Sequence, residues 1–119
     1  MTSFENVILP PNNYEVEKNI ISCILLDEGI LFDCPIVPTD FYNTHLSMIY
    51  SAILSVKKSH RTVDVVTVGD ELQALGHFDA IGGMDFLYDL ATGVLTTSSY
   101  NSYKDILLEL SYLRKVLAK

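Results

Sequence analysis

The sequence predicts an all-α domain, a compact bundle of about six helices. Three observations carry this. Apolar residues recur at intervals of three and four through most of the chain instead of alternating. The patterned segments are bounded by Asn, Asp, Ser, Gly and Pro, the residues that start and stop helices. The one β-branched run that could pass for a strand, Val63 to Val68, carries a helix-start pattern of its own.

Pro10-Pro11 cannot lie inside a helix, so residues 1–11 read as a tail. Asn12-Asn13 then offers capping oxygens, and Glu15 and Glu17 suit the positive end of a helix over about Tyr14 to Asp27. Its apolar stripe is Val16, Ile20, Cys23 and Ile24. Gly29 to Cys34 reads as one or two helical turns, and Pro35 and Pro38 bracket a loop. Asp40-Phe41-Tyr42 reads as a single turn placing two aromatic rings at the core. Leu46, Ile49, Tyr50, Ile53 and Val56 share one face of the next helix, which ends in Lys57-Lys58.

Val63 to Val68 has strand propensity. It reads as helix because Asp64 is a good N-cap, Val63 and Val68 fit a hydrophobic staple, and Val65, Val68, Leu72 and Leu75 are spaced helically. Gly76 supplies the stop. A loop from His77 to Gly83 leads to a short helix over Met84 to Ala91, with Phe86, Leu87 and Leu90 inward. A second loop, Gly93 to Ser99, precedes a last helix running to Lys119. The expected organisation is a tail over 1–11, a bundle over 12–98 and a C-terminal helix over 99–119.

That last helix has two apolar faces. Tyr103, Ile106, Leu110, Leu113 and Leu117 follow the 3, 4, 3, 4 spacing of a helix-pairing seam. Leu108, Tyr112 and Val116 lie on roughly the opposite side. A surface helix needs one apolar face. Two imply burial on two sides, either both within this domain or the core on one side and a further helix or second subunit on the other, and Leu108, Tyr112 and Val116 are the candidate partner-binding residues.

Composition narrows the function. A chain of 119 residues, 49% hydrophobic and 19% charged, is neither disordered nor collagen-like. It can bury about two-thirds of its unfolded surface, enough to fold without a disulfide or metal. No apolar run approaches the roughly 18 residues of a membrane span. Met1-Thr2-Ser3-Phe4-Glu5 lacks the basic and apolar regions of a signal peptide, and Cys23 and Cys34 read as free thiols, so a cytoplasmic location is expected. Fifteen acidic residues against eight Lys and Arg, a net charge of −7, oppose direct nucleic-acid binding.

Catalytic, cofactor and metal residues are expected to be absent. No glycine precedes a Lys as in a nucleotide phosphate loop. His45, His60 and His77 lack ligand spacing, and His45 reads as a packing or capping residue. Cys23 lies on a core stripe, where a thiol is inert. Asp85 and Asp89 read as solvated. The basic clusters at 57, 58 and 61 and at 114, 115 and 119 read as helix ends or partner surface.

The ordered motifs resemble the N-terminal domain of the DnaB-type replicative DNA helicase family. Its opening pattern stands here as Pro10-Pro11-Asn12-Asn13-Tyr14-Glu15-Val16-Glu17 followed by Lys18 to Asp27. Its D-F-Y and H-x-x-I-Y landmarks are Asp40-Phe41-Tyr42 and His45 to Tyr50. The I-D-x-V-T segment is Val63-Asp64-Val65-Val66-Thr67. A glycine-bounded motif runs from Gly76 through Gly82-Gly83 to Leu87, and a closing helix pattern is Tyr103 to Leu107 with Arg114 to Leu117. Departures are Lys18 for the usual Gln, Ser22 for the usual Gly and Thr62 for the usual Pro.

The resemblance implies a helical bundle followed by a helical hairpin, with the last helix as its first arm. It implies a non-catalytic collar domain of a hexameric ring, pairing subunits and docking primase and, in some systems, a loader. ATP-driven unwinding would belong to a motor outside these residues. The rival reading is a stand-alone regulator of the same fold that binds a helicase or primase.

Overall fold

A computed structural model describes residues 9–119. Most of the expected tail, residues 1–8, lies outside the described residues. Among the described residues there are five α-helices and no strand: α1 (Tyr14–Leu26), α2 (Thr44–Lys58), α3 (Val65–Ala74), α4 (Gly83–Ala91) and α5 (Tyr100–Leu117). Two single 3-10 turns, Glu28–Leu31 and Pro38–Asp40, accompany the five, against about six helices expected.

The first three helix starts have a local side-chain cause. The Asn13 side chain accepts from the Val16 amide at 3.1 Å to open α1. Asn43 does the same for Leu46 at 3.0 Å to open α2. Asp64 and Thr67 satisfy each other at the start of α3: the Thr67 amide donates to Asp64 at 2.9 Å, and the Asp64 amide donates to the Thr67 hydroxyl at 3.1 Å. Val63 and Val68 are both buried beside this cap. The β-branched run is therefore a helix start, as its pattern implied. Gly76 ends that unit with φ +78°, and Gly82, at φ +102°, opens α4.

The core is made by the expected faces. Ile20, Cys23 and Ile24 of α1 and all five stripe residues of α2 are fully shielded, with Val68 and Leu72 of α3 and Leu87 of α4. α1 packs against both α4 and α5, α2 against α3, and α3 against α4.

Three expectations are corrected. Phe41 is in the core, 5% exposed, but Tyr42 is 43% exposed. The 3-10 turn ends at Asp40 and the backbone at Phe41 is extended, so consecutive side chains point to opposite sides. His45 is exposed and caps nothing; Asn43 is the cap. Leu75, placed on the core stripe of α3, is exposed because it is the C-cap residue, where the chain leaves the helix.

Candidate partner-binding surface

α5 meets the rest of the molecule in two chemically different ways. Its first two turns are anchored in apolar surroundings. Tyr100 and Tyr103 pack against the core and Leu107 is buried in it. The Tyr100 hydroxyl lies 3.3 Å from the Cys34 sulfur, which is also 3.6 Å from the Tyr50 hydroxyl. Tyr50 donates to the Ile36 carbonyl at 2.7 Å. Burial, more than the neighbouring thiol, pushes the pKa of both tyrosines up.

Beyond Leu107 the docking becomes polar. Ser111 is the one further buried residue, and its hydroxyl donates to Asp40 Oδ1 at 2.7 Å. Asp40 is itself buried, and its Oδ2 accepts from the Val37 amide at 2.9 Å. Lys115 Nζ approaches Oδ1 at 3.6 Å. Arg114 donates to the carbonyls of Asp40 at 2.6 Å and Pro11 at 2.8 Å, and its guanidinium stands 5.6 Å from the centre of the Tyr42 ring. The receiving segment is held from below by Glu17, whose buried carboxylate accepts from the Tyr42 and Asn43 amides at 2.9 and 3.0 Å.

Glu17 stands in the first turn of its own helix, as expected, and its carboxylate also anchors the two residues that lead into α2.

The first apolar stripe of α5 is placed differently from expectation, while the second faces outward in the main. The core face is Leu107 and Ser111, and neither belongs to a predicted stripe. Of the first stripe, Ile106, Leu113 and Leu117 are exposed and only Tyr103 and Leu110 are half-buried. The reason is the polar Ser111, which takes a core position that an apolar count cannot register. Of the three candidate residues, Leu108 is half-buried against the core, while Tyr112 is 65% and Val116 45% exposed. Tyr112, Leu113, Val116 and Leu117 thus form a run of uncovered apolar side chains at one end of the bundle. An open apolar groove of about 340 Å³, lined by Leu9, Pro10, Arg114, Leu117 and Ala118, adjoins it.

No group of three His, Cys, Asp or Glu among the described residues could hold a metal ion. Cys23 and Cys34 are unbridged, Cys23 buried and Cys34 half-buried. No helix among the described residues is long and apolar enough to cross a membrane.

Comparison with known proteins gives a consistent result. The family described as "DnaB-like helicase N terminal domain" matches residues 9–109. The chain is 34% identical over 119 residues to the replicative DNA helicase DnaC of Bacillus subtilis (strain 168), covering 98% of this chain and 26% of that protein. It is 33% identical over 111 residues to the replicative DNA helicase DnaB of Geobacillus stearothermophilus, covering 92% and 24%. The chain spans about a quarter of the length of these curated relatives. The crystal structure of the N-terminal domain of DnaB helicase from Mycobacterium tuberculosis superposes with a TM-score of 0.87 at 29% identity, over 92% of this chain and 78% of that one. A DnaB-like replicative helicase whose structure describes its interactions with primase shares the fold, with a TM-score of 0.78 at 21% identity over 89% of this chain and 25% of that one. By motif order, by fold and by a match over most of its length, the chain belongs to the family of DnaB-like helicase N-terminal domains.

Proposed function

We propose that these residues form the collar domain of a hexameric replicative DNA helicase. The domain pairs subunits and docks primase, with a helicase loader as a further partner, in the cytoplasm. ATP-driven unwinding and DNA contact belong to a motor domain outside this chain. Residues 12–98 are the bundle, and residues 99–119 are the first arm of a hairpin whose second arm covers the outer face of α5.

One observation carries this reading: Tyr112 and Val116, with Leu113 and Leu117, are uncovered on a helix whose other side is already docked. Burying such side chains stabilises by about 1.5–3 kcal/mol each, and contiguous apolar patches of this kind mark interaction sites. The family membership supports the replicative setting, and the net charge of −7 supports leaving DNA to the motor.

Leu108 also touches the core, so Tyr112→Asp with Val116→Asp is a cleaner probe than a pair including Leu108. The double variant should keep the thermal melt of this chain while sedimentation velocity shows the longer protein losing assembly. Undiminished assembly, or a domain that no longer folds, refutes the pairing role. Titration of the assembled protein with primase tests the docking role separately, and absence of binding there refutes it. A reading frame continuing past Lys119 into a Gly-Lys-Thr/Ser loop excludes the stand-alone regulator.

A further inference from the structure

We infer that the distal half of α5, from Glu109 onward, is an arm held down by a polar latch and able to lift while the core stays closed. The proximal half has apolar anchors in Tyr100, Tyr103, Leu107 and Leu108. Past Leu107, the buried contact is the Ser111 hydroxyl on Asp40. Arg114 and Lys115 supply the other attachments, and all of them converge on Pro11 and the Asp40–Tyr42 segment.

The chemistry of these contacts makes opening cheap. Lifting an apolar seam exposes hydrocarbon to water. Lifting this arm exposes a carboxylate, two carbonyls, a hydroxyl, a guanidinium and an ammonium, all groups that water can serve. Asp40 keeps its Val37 amide throughout, so its carboxylate is never left without a donor. The receiving side does not move with the arm. Tyr42 and Asn43 are pinned by Glu17 of α1, and Asn43 caps α2.

The latch therefore has a defined closed position and a solvated open one. A helix this short is marginal alone in water, so the released arm frays as well as swings. Competition for Asp40 or Arg114 is enough to release it.

Hydrogen exchange read by mass spectrometry on this 119-residue chain tests the latch. Asp40→Asn and Arg114→Met should each speed exchange at amides 109–114 by about tenfold or more, the weight of one charged hydrogen bond. Amides of α1 to α4 and of residues 103–107 should stay within about twofold of the parent. Arg114→Lys, which keeps the charge and loses the fork, should fall between. Should Asp40→Asn fail to fold, Arg114→Met carries the same test, because Arg114 is the less buried partner. Unchanged exchange at 109–114 overturns the latch. A matching rise across all helices overturns it too, since the arm is then part of the cooperative core. The readout is local opening in one chain, so it stands apart from whether α5 pairs subunits.

Discussion

Gly93 and Ser22 meet at a distance that leaves no room for a side chain: a β-carbon on Gly93 would lie 2.6 Å from the Ser22 hydroxyl oxygen. Ser22 is buried in α1 and donates to the Lys18 carbonyl at 3.0 Å. The family pattern usually carries Gly at position 22. The extra hydroxymethyl group is accommodated here by a bare backbone where the chain leaves α4. Gly93→Ala should destabilise by about 1–3 kcal/mol, and less in a Ser22→Gly background. Urea unfolding of the four chains measures this coupling. An equal loss in both backgrounds would assign the obstruction to the Leu90 and Asp89 carbonyls, at 3.3 and 3.4 Å.

Asp64→Ala should cost about 1 kcal/mol, the usual loss for an N-cap. The reciprocal bond from the Asp64 amide to Thr67 survives that change, so Thr67→Ala should add a separate, smaller loss. Chemical denaturation with circular dichroism reads both. No loss in either variant would show that the Val63–Val68 staple alone starts the helix.

Phe41 and Tyr42 are neighbours with opposite environments, and their truncations should differ accordingly. Phe41→Ala removes a buried ring packed 5.0 Å from Tyr50 and should cost about 3–5 kcal/mol. Tyr42→Ala removes a half-exposed ring under Arg114 and should cost about 1 kcal/mol or less. Similar losses at the two positions would contradict their placement.

Tyr50 and Tyr100 give the domain an alkaline limit. Both have a pKa raised above the ordinary 10.0 by burial. Below that value folded and unfolded chains hold these protons alike. Above it the unfolded chain releases them and the native one does not, so stability falls as pH rises. Thermal melts from about pH 9 to 11 should show the decline, and it should be shallower in Tyr50→Phe. Phenolate absorbance from these two residues should appear together with unfolding. Its appearance in the folded domain would show that the hydroxyls are accessible.

Legibility from sequence followed the nature of the contacts. α3 could be read because its cap, staple and stop are local, all within Val63 to Gly76. The α2 core face was legible because burial there is wholly apolar and periodic. α5 misled because its docked face mixes Leu107 with Ser111, and the partner that makes Ser111 a buried residue, Asp40, lies far away in the chain. The second role of Glu17 was hidden for the same reason: it does stand in the first turn of α1, but its donors are the distant amides of Tyr42 and Asn43. The candidate surface itself was half legible. Tyr112 and Val116 stand out in the spacing, but Leu113 and Leu117 join them only because a polar latch, not an apolar seam, holds that end.

The bond from Arg114 to the Pro11 carbonyl brings residues 103 positions apart in the sequence side by side. Polypeptide fused before Pro11 and polypeptide fused after Arg114 would therefore depart from one edge, next to the apolar groove of Leu9, Pro10 and Leu117. A short linker across that edge could join the two, with new termini opened in the exposed Thr96–Ser98 turn. A circular permutant so built should keep all five helices, and Arg114 would then act as a non-covalent splice between the ends that the linker replaces.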